Sequence, residues 1–327
     1  LLGKKKEAIL CYEKGLQYYT DCSEIYYKYG LILIDEERYK DALKQFSKAL
    51  DERPTSSKLL VCKAICLKNL NNISGALKDL TDAVCFDETN ANAWYQLGLL
   101  SKDSNESIRH FERCLTIDEN HIGALCSKAS ELSNIGKYEE AIPLFKDSFK
   151  RCRLNKDGIC ENVHKNLGLT LYSLYNSDPE KHKNLISESE NHFLDICKNS
   201  KDNDEVSSAF NCVGYLHLVQ KKFSEAKDFF QKAIDKNSSN SRDVALHKYN
   251  YAMSCLLLSE IDTAQTFFEK SKKIARGLKK SNREIKWILL PELVGGKIDC
   301  REIKEVTDLL SICEHALLTV KNFYKQI

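Results

Sequence analysis

Residues 36–54 read EERYKDALKQFSKALDERP, and the frame of that stretch decides the fold. Tyr39, Ala42, Phe46 and Ala49 fall at helical spacings of three and four, and Pro54 closes the run. Gly30 precedes Ala42 by twelve residues. The frame returns at spacings near ~34 residues, as Ala64, Ala76, Leu80 and Ala83, and again around Gly98 and Gly214. Such a period implies a stack of helix pairs, each burying its apolar face against its neighbours alone.

The totals agree with one elongated repeat domain. Lys and Arg number 49 against 47 Asp and Glu, so the formal charge of +2 provides no field that draws the chain to nucleic acid or anionic membrane. Four prolines and 13 glycines leave room for long helices joined by short turns. Cys62, Cys66, Cys114, Cys126, Cys212 and Cys255, six of 14 cysteines, stand at repeat positions otherwise held by small or medium apolar residues. Thiols used as core filler fit a reducing compartment, which points to the cytoplasm and secondarily to the nucleus. No apolar run approaches the ~18 residues of a membrane span, so no membrane insertion is expected. The chain opens on Leu1, Leu2 and Gly3 within what reads as a second helix, the expectation being a piece of a longer protein that starts in mid-repeat.

The frame divides residues 1–278 into a partial repeat, 3–22, and seven units at 23–56, 57–90, 91–121, 122–155, 158–203, 205–240 and 244–278. Three departures stand out. In the third unit the second helix arrives about three residues early, which predicts a shorter turn. In the fifth, Asn176, Ser177, Asp178 and Pro179 interrupt the pattern before a helix over 182–198. Gly136 and Gly158 are expected at helix exits, where a positive φ favours glycine. Beyond the repeats, 279–327 reads as an extension with a capping helix, Cys300 to Tyr324, whose apolar side carries Val306, Leu309, Leu310, Cys313, Leu317 and Val320.

Tyr26, Gly30, Ala42, Phe46, Ala49 and Pro54 in the first full unit, with Trp94, Leu97 and Gly98 in the third, Ala129, Tyr138, Ala141 and Phe145 in the fourth, and Phe210, Gly214, Phe223, Ala226, Phe230 and Ala233 in the sixth, resemble the tetratricopeptide repeat family. The resemblance covers roughly residues 3–278 and implies an all-α, right-handed superhelical solenoid of α-α pairs. It also implies that the first helix of each pair lines a concave face that binds extended peptides or partner helices. Carried onto this chain, that face holds Tyr27, Leu31, Val61, Ile65, Tyr95, Leu99, Lys165, Leu169, Asn211, Tyr215, Leu218, Tyr249, Met253 and Leu256.

Among these, Tyr95, Lys165, Asn211, Tyr215, Leu218, Tyr249, Met253 and Leu256 are the expected partner contacts. The late residues form a mostly apolar groove, whereas the early part mixes Glu24, Lys58, Lys68, Asn92 and Lys102 with tyrosine. Two occupants stand open for the late groove: an amphipathic helix or extended peptide from another protein, or the chain's own Cys300 to Tyr324. The lysine and asparagine clamp by which some relatives hold a C-terminal carboxylate is not matched, because Tyr27 and Leu31 occupy its first two places and Leu169 follows Lys165. The expectation is a non-catalytic interaction scaffold working in a multiprotein complex.

The competing class is a nucleic-acid or acidic-protein binding module that uses the basic segment 270–286, with Lys272, Lys273, Arg276, Lys279, Lys280 and Arg283 as its contacts. Catalysis has no motif behind it. Cys62 and Cys66 lie one turn apart without a histidine or second cysteine pair to complete a zinc set, and there is no HExxH and no GxxxxGK[ST]. No cofactor and no metal are expected, and the sequence does not specify the oligomeric state.

Overall fold

A computed structural model of the chain describes residues 2–18, 22–155, 160–237 and 242–277. The described residues form fifteen α-helices and no strand. Two compact units divide the chain, Leu1–Gly158 and Ile159–Ile327.

In the first unit, α1 (Leu2–Tyr18) precedes four antiparallel pairs: α2 (Ser23–Asp35) with α3 (Tyr39–Glu52), α4 (Ser57–Asn69) with α5 (Ile73–Phe86), α6 (Ala91–Leu100) with α7 (Ser104–Ile117), and α8 (Ile122–Asn134) with α9 (Tyr138–Asn155). The second unit holds three pairs: α10 (Cys160–Ser177) with α11 (Leu185–Asn199), α12 (Asn203–Val219) with α13 (Phe223–Lys236), and α14 (Arg242–Leu257) with α15 (Ile261–Gly277). Within each unit a helix packs on its neighbours in sequence, and first helices also pack on the first helix of the next pair, as α4 does on α6 and α12 on α14. The Gly158 exit and the expected Cys300 to Tyr324 cap lie outside the described residues.

The core follows from one size rule. Gly30 on α2 faces Phe46 on α3 so closely that an added Cβ would stand 2.6 Å from two ring carbons. Gly168 meets Phe193, and Gly214 meets Phe230, in the same way. Each of these rings is buried, filling the space that glycine vacates. In the second pair both partners change together, Ala64 packing in one cluster with Leu80. Serines replace the alanine of Ala42 in the third and fifth units, and their hydroxyls donate to the glycine carbonyls: Ser107 Oγ to Gly98 O at 3.0 Å, Ser189 Oγ to Gly168 O at 2.7 Å.

Five of the turns inside a pair share one geometry. The residue after the C-cap takes a left-handed conformation, at Glu37 (φ 58), Asn71 (φ 61), Gly136 (φ 82), Lys221 (φ 62) and Ser259 (φ 63). The next amide then reaches back to a carbonyl in the last helical turn: Arg38 N–H to Leu33 O, Asn72 to Leu67, Lys137 to Leu132, Lys222 to His217 and Glu260 to Cys255, all at 2.8–2.9 Å. This is the six-to-one closure of a Schellman motif, which satisfies carbonyls a helix end leaves open.

The third unit differs, and the physical reason corrects the expectation of a shorter turn. Residues 101–103 between α6 and α7 are as many as residues 36–38 between α2 and α3. The missing length comes out of the helix instead: α6 has 10 residues where α2, α4 and α8 have 13. α6 ends without a left-handed cap: Ser101 leaves it extended (φ -64, ψ 139), and Asp103 starts α7 by accepting from the Glu106 amide at 2.9 Å.

In the fifth unit the interruption is absorbed by a turn over residues 178–184, where Asp178 Oδ1 accepts from the Lys181 amide at 3.1 Å. The second helix accordingly starts at Leu185 rather than at His182, and Phe193 still meets Gly168.

Candidate functional site

The first helices of the pairs carry a row of side chains that each unit presents separately. In the first unit Leu31, Ile65 and Leu99 occupy one position on α2, α4 and α6, with Leu31 36% and Leu99 41% exposed. Leu31 and Leu99 are large apolar side chains left open to solvent on helices whose other faces are packed, and Ile65 between them is half-buried against the core. Polar residues lace the same row. Lys58 places its ammonium 3.9 Å from the centre of the Tyr27 ring, which ties α4 to α2. Lys68 Nζ donates to Gln96 Oε1 at 3.2 Å, which ties α4 to α6. Burial pulls the half-buried Lys68 ammonium below the usual lysine pKa.

Tyr95 on α6 packs against Phe111 and, at 4.6 Å between ring centres, against His121. Burial raises its phenol pKa, with a hydrogen bond to Ser127 acting against the rise. His121 is the N-cap of α8: its Nδ1 accepts the Ala124 amide at 3.0 Å, so Nε2 holds the proton and donates to Asn92 Oδ1 at 3.3 Å. The cap requires the neutral ring, and burial lowers the imidazole pKa in the same sense.

In the second unit Lys165 is exposed on α10, and its charge partly opposes the burial that pushes the Cys212 thiol up to about 11. Asn211 on α12 accepts from Asn250 Nδ2 on α14 at 2.9 Å. Tyr215 meets Tyr172 edge to face at 5.5 Å, the Tyr172 hydroxyl donating to that of Tyr215 at 3.3 Å. Tyr249 is 1% exposed and packs on Phe268 at 5.4 Å. Tyr215, Leu218 and Met253 are buried as well, while Leu256 is half-buried. Of the apolar residues expected at this end four are buried and Leu256 is half-buried, and of the eight expected contacts Tyr95, Lys165, Asn211 and Leu256 keep solvent access. Tyr95 belongs to the first unit and the other seven to the second.

Of the basic segment, Lys270 and Lys273 are exposed on α15. The side chains of Lys272 and Arg276, and all of Lys279, Lys280 and Arg283, lie outside the described residues.

Gln96 and His121 were not singled out by pattern, although a signal existed. Asn90 and His121 end equivalent linkers and both cap the helix that follows. Among the described residues no three His, Cys, Asp or Glu side chains come together to hold a metal, and no helix is long and apolar enough to cross a membrane. Burial drives the thiols of Cys66 and Cys114 up to about 12, which keeps them protonated at neutral pH and suits packing rather than nucleophilic work.

Comparison with known proteins bears on the fold. Residues 23–56 match a family model described as tetratricopeptide repeat. A stretch of 103 residues, 31% of the chain, is 29% identical to the cilia- and flagella-associated protein 70 of Homo sapiens, and covers 9% of that protein, so the chain spans only a small part of its relative's length. A chain in the crystal structure of the APC/C hetero-tetramer Cut9-Hcn1 superposes with a TM-score of 0.57 at 14% identity, over 94% of this chain and 52% of that one. The crystal structure of a tetratricopeptide repeat protein from Parabacteroides merdae gives a TM-score of 0.54 at 15% identity, over 90% of this chain and all of that one. At these identities the two structures speak for the fold, an all-α repeat solenoid.

Proposed function

Since the chain is a tetratricopeptide-repeat protein, we propose that it is a non-catalytic scaffold that binds a segment of another protein along the first-helix face. One observation carries the reading: Leu31 and Leu99 stay open to solvent in the same register, on helices whose neighbouring positions are packed. Apolar side chains aligned in this way gain by burial against a partner, at about 25 cal/mol for each Å² removed from water. Tyr95 in the first unit and, taken separately, Lys165, Asn211 and Leu256 in the second are further contacts in this reading, and the buried Tyr215, Leu218, Tyr249 and Met253 shape the helices beneath. An extended peptide or an amphipathic helix fits the row equally, and membership of a multiprotein complex in the cytoplasm or nucleus belongs to the same proposal. Cys62, Cys66, Cys114 and Cys255, buried as core filler, support a reducing location in this reading.

The test is affinity capture from the source cell with the wild-type chain and with Leu31→Asp/Leu99→Asp. Loss of a specific partner with unchanged helicity and melting is expected. A partner profile that survives both substitutions overturns the proposal. Charge substitution at Tyr249 is a poor probe, because a fully buried ring cannot be replaced without disturbing the fold.

A second reading keeps the basic end as a site for nucleic acid or an acidic protein. The observation behind it is that Lys248 on α14 feels the charge of Lys270 on α15; burial first, and that charge second, lower its pKa. Lys248→Gln/Lys270→Gln should then weaken binding of single-stranded RNA or polyglutamate and flatten its salt dependence. Unaltered salt dependence removes this reading.

A further inference from the structure

The identity of the bound segment is open, and the first unit carries a feature that narrows it. Lys68 reaches from the last turn of α4 towards α6, where it donates to the neutral amide oxygen of Gln96. Among the described residues no carboxylate pairs with it. Other half-buried lysines of this unit have acids: Lys63 meets Asp79 at 3.0 Å and Lys128 meets Glu112 at 2.9 Å. Lys68 therefore keeps a positive charge, partly withdrawn from water, that no acid offsets.

Its surroundings are those of a contact surface. Ile65 lies one turn before Lys68 on α4, and Leu99 lies one turn beyond Gln96 on α6. With Leu31 on α2 they form the apolar row described above, so the ammonium stands beside it rather than on a separate face. A segment lying across α2, α4 and α6 meets Leu31, Ile65 and Leu99 in turn and passes Lys68 between the last two helices.

We propose that the segment bound here is acidic: an Asp or Glu side chain, flanked by apolar residues, pairs with Lys68 while its neighbours cover Leu31 and Leu99. A carboxylate gives the ammonium the charge-assisted hydrogen bond that Gln96 alone does not supply, and the surrounding apolar side chains exclude the water that would weaken it. Lys58 is engaged with the Tyr27 ring and is not assigned this role. The inference rests on the first-helix face being the binding surface.

The experiment selects displayed random 12-residue peptides on the full chain, and compares the wild type with Lys68→Gln, Lys68→Arg and Leu99→Asp, each checked for unchanged helicity. Enriched peptides should carry Asp or Glu next to Leu, Ile or Phe. A synthetic peptide made from the consensus should bind Lys68→Gln about tenfold more weakly, with a shallower salt dependence, and Lys68→Arg should recover most of the loss. Selection on Lys68→Gln should return peptides without the acid preference.

Peptides that lose affinity on Leu99→Asp but show no acid preference, or bind Lys68→Gln as well as wild type, overturn this inference and leave the first-helix face as the binding surface. Peptides indifferent to Leu99→Asp, or no enriched peptides at all, overturn both.

Discussion

Replacing Gly30 by alanine tests the size rule that holds each helix pair together. The new Cβ would stand 2.6 Å from two carbons of the Phe46 ring and 3.0 Å from a third. Carbon atoms rest at about 3.5–4.0 Å, so the ring has to retreat by roughly 1 Å within a packed core. Phe46 is fully buried, with Tyr27 and the α2–α3 cluster around it, so it has nowhere free to go. Overpacking of this kind costs about 1–3 kcal/mol. Alanine recovers about 1 kcal/mol of helix propensity over glycine. The net loss for Gly30→Ala is about 1 kcal/mol, rising to about 2 if the ring moves as a rigid body.

The second pair shows the remedy, because there Ala64 packs with Leu80. Phe46→Leu alone opens a cavity and costs about 1–2 kcal/mol, whereas Gly30→Ala/Phe46→Leu rebuilds the native pairing of the next repeat. Urea unfolding followed by circular dichroism should give a double mutant more stable than the sum of the singles predicts, by about 1–2 kcal/mol. Losses that add to within about 0.5 kcal/mol refute the reasoning, since they mean glycine and ring do not compete for the same space.

Other substitutions probe separate devices. Lys221 sits at φ 62 in its turn, so Lys221→Gly relieves left-handed strain and should raise the unfolding midpoint by the equivalent of about 0.5–1 kcal/mol, whereas Ser101→Gly, where the backbone is extended, should lower it. His247 is buried with Nδ1 3.2 Å from Ser207 Oγ, and since Ser207 donates to Ala233 O at 2.7 Å, the ring donates from Nδ1. Burial drives its pKa down to about 4, so the unfolded chain takes up the proton first as pH falls. Stability should drop between about pH 6.5 and pH 4 by about 3 kcal/mol from this group and level off below, with His247→Gln flattening that window in pH-dependent urea titrations. Lys63→Met strands the buried Asp79 carboxylate and should cost about 3 kcal/mol, which Lys63→Met/Asp79→Leu should largely restore by thermal unfolding.

The repeat was legible because helical periodicity and size constraints act on side chains at fixed spacing. Gly30 and Gly214 were legible as points of close helix approach, since such an approach admits few residue types, whereas the filling of that space by Phe46 and Phe230 of the same pair is seen only in the structure. The shortened α6 was not legible, because a three-residue deletion looks the same whether it leaves a turn or a helix, and the choice turns on which backbone groups can still be capped. The left-handed positions were hidden for a similar reason: Glu37, Asn71, Lys221 and Ser259 pay a local conformational cost that the back-bonded amides offset, and only Gly136 announces itself.

The candidate site was less readable than the fold. Repeat position places Tyr249 and Leu99 on comparable faces, yet one is buried and the other open, because exposure depends on the neighbours packed around each unit. Lys68 illustrates the same limit. Its place in the row follows from its spacing, but whether an acid sits opposite it depends on contacts between residues 28 positions apart.

Site-specific photo-crosslinking in the source cell puts the binding surface to the most direct trial. A photoreactive residue at Leu31 or Leu99 samples the first-helix face; one at Phe86 or Ile117, exposed to 54% and 40%, samples the ends of the second helices at similar accessibility. Adducts to a defined protein partner from positions 31 and 99, and none from 86 and 117, are the predicted result. Adducts from 86 and 117 alone, with none from the first-helix row, contradict it.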